Sequence, residues 1–238
     1  ADDIAGRLSL LYTPSDNFTA YIWGFLTDKG GTNANLVNKG FNPATFSVDG
    51  QSYLHDDPWD DTLTGPLAGF AVFGPVEAFP RHYKNGAIGA QFDLNLGDVT
   101  ISDIPAYVTA NLAQTYQLGA LRGDYNAKIH SLSNELRVSG HTGALKWQTG
   151  LNLYRQVNSD DTGIPPLFYN HDDRNLAKGV GLYAQMTYSA TDALRLTLGG
   201  RYSSDSRVAH GRTTQVPGVL AAVPYTADVS SSRFDWKV

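Results

Sequence analysis

The spacing of the strand-like segments constrains this chain more than any single motif. Stretches of period-two hydrophobicity are joined alternately by short polar turns and by long polar excursions. The short joints are Pro14–Asn17, Gly97–Asp98, Gly140–Gly143 and Ala190–Ala193, and the long ones run over about 28–85, 110–129, 157–177 and 207–228. Short on one side and long on the other is the pattern of an antiparallel up-and-down transmembrane β-barrel, with short periplasmic turns and long extracellular loops.

The clearest strand pair is 179–189 with 193–204. Val180, Leu182, Ala184, Met186 and Tyr188 share one face of the first, and Gly181, Tyr183, Gln185, Thr187 and Ser189 the other. Leu194, Leu196, Leu198, Gly200 and Tyr202 oppose Arg195, Thr197, Gly199, Arg201 and Ser203 in the second. Strict alternation gives one apolar and one polar face. A second pair repeats it: Leu132, Asn134, Leu136 and Val138 against Ser133, Glu135, Arg137 and Ser139, then Leu145, Trp147, Thr149, Leu151 and Leu153 against Lys146, Gln148, Gly150, Asn152 and Tyr154. About ten residues is the length a tilted strand needs to cross a bilayer. Further strands are predicted at 3–13, 17–27, 86–96 and 98–109, and one begins near Ser231. Proline lacks a ladder donor, so Asp103–Pro105 predicts a bulge or a strand end. Tyr21, Ile22, Trp23 and Phe25 leave both faces of their strand apolar.

The face assignment that follows puts Leu136, Trp147, Leu151, Leu182, Tyr188, Leu196 and Leu198 toward lipid, and Glu135, Arg137, Gln148, Gln185, Arg195 and Arg201 toward the lumen. Tyr12, Trp147 and Tyr188 each stand beside a short turn in the lipid-facing phase, where aromatic side chains form an interfacial girdle. Aromatic cross-strand packing in a soluble sheet is the competing explanation.

Composition fits a barrel. Charged residues are 17%, aromatics 11%, and glycine contributes 24 residues. No run of about 18 apolar residues offers a membrane-spanning helix. Only alternate strand residues face lipid, so a mildly negative mean hydropathy does not oppose a barrel. Cysteine is absent, which removes disulfides and thiolate metal sites. The net charge is −5 without a basic cluster, so nucleic-acid binding has no electrostatic support. No secretory leader opens the sequence, which predicts either its removal or a start inside a longer protein.

Several stretches resemble the barrel of TonB-dependent outer-membrane receptors. They are Ser131-Leu-Ser-Asn-Glu-Leu-Arg-Val-Ser139 with Leu145-Lys-Trp-Gln-Thr-Gly-Leu151, Gly181-Leu-Tyr-Ala-Gln-Met-Thr-Tyr188 with Leu194-Arg-Leu-Thr-Leu-Gly-Gly-Arg-Tyr202, and Arg7-Leu-Ser-Leu-Leu-Tyr-Thr-Pro-Ser-Asp16. The resemblance implies a barrel of 22 strands closed by a plug domain. It implies that residues 1–238 are a central barrel segment of about nine strands, with the plug, the TonB-contacting box and the aromatic C-terminus lying elsewhere. It further implies a Gram-negative outer-membrane location, contact with outer-membrane lipid, energisation by TonB and its inner-membrane complex, and uptake of a scarce bulky nutrient. Ferric siderophores or similar metal chelates are the commonest such substrates, with cobalamin, haem, nickel chelates and oligosaccharides as alternatives.

Residues for chemistry are few. His55-Asp56-Asp57 and His171-Asp172-Asp173 repeat one tripeptide in two long excursions. Carboxylates and imidazole suit a divalent metal or a cationic ligand. Adjacent residues diverge, however, so neither tripeptide alone makes a site, and both also suit solvated turns. Neither a resident metal nor a cofactor is expected. The 28–85 stretch adds aromatics, among them Trp59 and Tyr83, with His82 beside the latter. Such residues either stack on a ligand or pack the loop on itself. Glu135 and Arg137 share a face and are expected to form an ion-pair ladder with Arg195 or Arg201, or to contact a plug. Nucleophile elbows, zinc-binding His pairs and phosphate loops are lacking, so an enzyme is not expected. A passive porin and a soluble β-sandwich binding module are the alternatives to a transport receptor.

Overall fold

The computed structural model describes residues 3–32, 39–42, 47–52, 80–118, 121–164, 169–215 and 222–237. His55, Asp56, Asp57 and Trp59 lie outside them. Eleven strands follow in chain order: β1 (Asp3–Ser15), β2 (Phe18–Thr32), β3 (Lys39–Asn42), β4 (Ser47–Ser52), β5 (Pro80–Leu96), β6 (Val99–Leu118), β7 (Leu121–Thr142), β8 (Leu145–Ile164), β9 (Tyr169–Ser189), β10 (Arg195–Gln215) and β11 (Val223–Lys237). Nine form one antiparallel sheet in the order β1-β2-β5-β6-β7-β8-β9-β10-β11, an up-and-down meander, and β3 pairs with β4 apart from it. This is the all-β architecture that the alternating hydrophobicity predicts.

The short turns are where the sequence puts them, with small shifts. Gly97 (φ 71°) and Gly143 (φ 57°) open two-residue connections at Gly97–Asp98 and Gly143–Ala144. Positive φ matches the twist of the flanking strands, and glycine adopts it without a Cβ clash. Gly140, His141 and Thr142 are not turn residues; they pair with Trp147, Lys146 and Leu145.

The long excursions differ from expectation. β6 and β7 stay paired to Leu118 and Leu121, β8 and β9 to Ile164 and Tyr169, and β10 and β11 to Thr213 and Val223. Strands expected at about ten residues therefore reach 20 to 22 in β6 to β10. The ladder is a backbone property and continues wherever both strands stay extended. Hydrophobic alternation reports only the part in which one face must be apolar, so the upper halves read as polar loops. His82, Tyr83, His171, Asp172 and Asp173 accordingly sit on strands rather than in loops.

Pro105 neither bulges nor ends its strand. β6 pairs with β7 through Asp103, Ile104 and Pro105 in unbroken register. Toward β5 the ladder lacks partners only for Ala90 and Gln91, and the register on either side is unchanged. A missing N–H removes one rung; it does not require an extra residue.

The two faces are chemically distinct. Register places Leu136, Leu151, Leu182, Tyr202 and Phe234 side by side across five strands on the apolar face. Glu135, Asn152, Gly181, Ser203 and Arg233 form the neighbouring row on the polar face. β2 resolves the same way: Ile22 and Leu26 join the apolar face, whereas Trp23 and Phe25 stack on each other on the polar one. Among the described residues only Ala20 and Ala87 are buried apolar side chains, while Leu182, Leu196 and Leu198 are each more than half exposed. A water-soluble sandwich would bury this face against a second sheet. None of the described residues covers it.

Candidate functional site

The polar face has two zones. In the half nearer the short turns it carries most of its cations. An open groove of about 480 Å³ is lined by Glu135, Arg137, Gln148, Tyr183, Gln185 and Arg201, among others. An adjoining groove of about 650 Å³ includes Lys146, Gln148, Gln185 and Arg195. The six residues expected to face a lumen are thus brought together. Their pairing differs from expectation: Glu135 accepts a hydrogen bond from Tyr183 Oη at 2.8 Å and lies 3.5 Å from Arg137 Nε, not against Arg195 or Arg201. Arg201 instead donates to Ser203 Oγ at 2.9 Å and lies across Gly181. Arg137 Nε is buried and, although 3.5 Å from Glu135 Oε1, makes no hydrogen bond among the described residues.

The other half of the polar face is built of carboxylates, amides and tyrosines. Tyr225 donates to Asp173 Oδ1 at 2.8 Å, and its ring stacks on His171 at 6.0 Å. His171 Nδ1 is bonded to Thr213 Oγ1 at 2.9 Å, and Asn175 donates to the second oxygen of Asp173. Asp160 stands opposite Asp173 in the register. Burial, and then the neighbouring Asp173 charge, push the Asp160 carboxyl above its ordinary value. Tyr154 donates to Asp205 at 2.8 Å, reaching over β9.

Asp172 goes the other way, as period two requires. It lies on the opposite face, where Arg212 donates to it at 2.8 Å and holds its carboxyl below the ordinary range. Asp161 faces it across the ladder; burial first, then Asp172, raise its pKa. His82 also points to that face, donating to Asp28 at 2.6 Å, with Lys84 at 2.9 Å from the same carboxylate. Tyr83 takes the polar-face phase beside it, opposite Lys29 and Leu112. The tripeptide His171-Asp172-Asp173 is therefore split between two faces. Among the described residues no three His, Asp or Glu side chains converge as a metal cage.

Sequence reasoning passed over the tyrosines. Tyr116, Tyr154, Tyr183 and Tyr225 each lie over a glycine of the adjoining strand: Gly123, Gly179, Gly150 and Gly211. Trp23 covers Gly89 in the same way, where a Cβ would stand 2.6 Å from the indole. The missing side chain gives the ring a flat seat and aims its hydroxyl at the next strand. The signal is a Gly–Tyr cross-strand pair, which becomes visible only once register is known.

The profile described as "TonB dependent receptor-like, beta-barrel" matches residues 7–238. The chain belongs to the TonB-dependent receptor family. Its fold is similar to FyuA, the ferric yersiniabactin uptake receptor of Yersinia pestis, with TM-score 0.69 at 13% identity over 98% of this chain and 34% of that one. It is similar to Fiu, the ferric-catecholate import receptor of E. coli K12, with TM-score 0.54 at 12% identity over 98% and 40% of the two chains. It is also similar to BauA, the ferric preacinetobactin receptor of Acinetobacter baumannii, with TM-score 0.50 at 12% identity over 96% and 36%. The chain thus spans between 34% and 40% of the length of these receptors. No curated protein sequence matches it. The nine strands are barrel-wall strands, and the two-zoned face is one side of that wall. Family and fold are those of the TonB-dependent receptor barrel.

Proposed function

We propose that this chain is wall and vestibule of a receptor in a Gram-negative outer membrane that takes up a scarce metal chelate, of the ferric siderophore class, with energy supplied through TonB. The observation that carries the proposal is the profile match across 7–238 joined to the two-zoned polar face. The apolar face, with Leu136, Trp147, Leu151, Leu182, Tyr188, Leu196 and Leu198, contacts lipid. β1 and β11 pair with further strands of the closed barrel. The cationic groove holding Arg137, Arg195 and Arg201 meets a plug domain, which supplies the acceptor that Arg137 Nε lacks. The Tyr- and Asp-rich zone lies above it, on the way in. Tyrosine rings seated on glycines present flat, rigid surfaces and hydroxyls at low entropic cost, which suits a bulky chelate with aromatic or apolar surfaces. In this reading His55, Asp56, Asp57 and Trp59 are further candidates for binding the chelate.

The test is uptake by the full-length receptor in cells whose other receptors are deleted. Radiolabelled ferric siderophores are supplied with and without TonB. TonB-dependent uptake of at least one chelate is expected, with Tyr225→Phe weakening binding several-fold, since losing the Tyr225–Asp173 bond costs about 1 kcal/mol. TonB-independent entry of small solutes would replace the receptor by a porin.

A further inference from the structure

One lane of the polar face is not polar. On β2, β5 and β6 the register puts Trp23, Phe25, Ala87, Ala106, Val108 and Ala110 on neighbouring positions of this face. No residue that shares these rows on the three strands is charged. The border is polar: Arg7 stands opposite Phe25 on β1, and the rows reach Tyr154, Gln156 and Asn158 on β8. The floor is flat, because Gly89, Ala87, Ala106 and Ala110 carry nothing beyond a Cβ. Trp23 lies across Gly89, with the Phe25 ring parallel to it at 6.4 Å. Val108 stands on this floor 38% exposed. Contiguous apolar surface rimmed by polar residues marks a place where something binds.

One polar group interrupts the lane. Asn85 stands between Thr27 and Ala110, and its Oδ1 is buried with no hydrogen bond among the described residues. A buried acceptor without a donor is costly, and native proteins hold few of them. The amide torsion of asparagine is soft, so a small turn brings Oδ1 over the lane toward a donor that sits there. Floor and acceptor together describe the occupant: an apolar group with an N–H or O–H beside it. Height selects between the two bodies that the proposed receptor holds inside its wall. Glu135 and Arg137, assigned to plug contact, lie one and two rows nearer the short turns than Ser133, which is level with Ala106. The lane begins above them and climbs about 13 Å from Ala106 to Ala110, beside the tyrosine zone. It therefore borders the vestibule, where the chelate passes.

We propose that this lane binds an apolar cap on the chelate, an aryl or acyl group whose linking amide N–H is accepted by Asn85 Oδ1. The substrate class is then an amphiphilic chelate, with its cap on β2, β5 and β6 and its polar part toward the tyrosines. The proposal rests on reading the chain as part of a chelate receptor. In the test, purified full-length receptor is dialysed against radiolabelled iron(III) complexes of one linear trihydroxamate. Its terminal amine is capped with acetyl, hexanoyl or benzoyl, and the benzoyl amide is also made N-methylated. The hexanoyl or the benzoyl complex is expected to bind about tenfold or more tighter than the acetyl one, and the tighter of the two tells chain from ring. Asn85→Leu should cut the advantage of the benzoyl cap several-fold and leave that of the N-methylated cap as it was. Val108→Asp should abolish every such advantage, because the cap would then desolvate a carboxylate. Equal binding of the acetyl complex and both larger caps, no binding of any complex at millimolar concentration, or an advantage that survives Val108→Asp would each overturn the lane. Heat-modifiable migration reports assembly separately. If Val108→Asp misassembles, Asn85→Leu decides, and an unchanged advantage of the benzoyl cap overturns the proposal. A cap preference in a receptor that imports no iron chelate through TonB would sink the transport reading and keep this site. TonB-dependent import that ignores the cap would sink only the site.

Discussion

The lower and upper halves of the same strands use one backbone ladder with two different side-chain patterns. Near the short turns, β8 alternates Leu145, Trp147, Leu151 and Leu153 with Lys146, Gln148, Asn152 and Tyr154. Farther along, the same strand runs Gln156 to Asp161 with polar side chains on both faces apart from Val157. Register does not change between them: β8 and β9 pair without a shift from Leu145–Tyr188 to Ile164–Tyr169. Backbone pairing therefore makes the sheet, and the surroundings decide what the side chains must be. In the lower half the proposed contact with lipid requires an apolar face, because lipid solvates neither charge nor a free backbone group. In the upper half neither face is restricted to apolar side chains.

The sharpest way to break that comparison is to put charge on each face at equal height. Leu196→Lys or Leu151→Arg should prevent most of the receptor from assembling, at a cost of about 2–4 kcal/mol near the midplane. Thr197→Lys and Gln148→Lys, one residue away on the polar face, should assemble nearly as wild type. The readout is the heat-modifiable fraction in outer-membrane preparations. Equal losses at both faces would mean that the apolar face does not meet lipid.

This contrast also marks what was legible in the sequence. The lower half was readable because one apolar and one polar face impose period two on Leu132–Val138, Leu145–Leu153, Val180–Tyr188 and Leu194–Tyr202. The strand count and topology followed from the joints between them. The upper halves were not readable, since Asp160, Asp161, Asp172 and Asp173 look the same in a loop and in a solvated strand. The candidate site was legible only in outline. Glu135, Arg137, Gln148, Gln185, Arg195 and Arg201 do share a face, but the Glu135–Tyr183 bond and the Tyr225–Asp173–His171 group depend on register between strands distant in sequence. Contacts of that kind leave no local trace.

One polar pair crosses the division and sharpens it. Asp103 and Asn134 belong to the apolar face within the lower half, where Asn134 Nδ2 donates to Asp103 Oδ1 at 2.8 Å. Asp103 is level with Phe92 and Leu136. If lipid surrounds it, Asp103→Leu alone should destabilise the barrel by about 1–3 kcal/mol by leaving the Asn134 amide without its partner. Asp103→Leu with Asn134→Leu should be neutral or stabilising, since both desolvated groups are gone. Urea unfolding of the receptor in detergent measures both. A double variant as poor as the single one would show that the pair holds something other than itself.

Pro105 sets the smallest effect and asks whether the lower ladder has to be complete. It leaves Ala90 and Gln91 of β5 without ladder partners at a depth where Phe92 and Ile88 face outward. Pro105→Ala restores one donor, and a net hydrogen bond is worth about 1 kcal/mol. Removing proline also frees the unfolded chain, which costs about 0.4–1 kcal/mol of stability. The two terms nearly cancel, so the variant should lie within about 0.5 kcal/mol of wild type in the same urea assay. A carbonyl has two lone pairs and tolerates under-satisfaction better than an N–H does, which is why the gap is cheap where it falls. A gain well beyond 1 kcal/mol would mean that lipid penalises even this single missing rung. The lower half would then demand completeness of its backbone as strictly as it demands an apolar face.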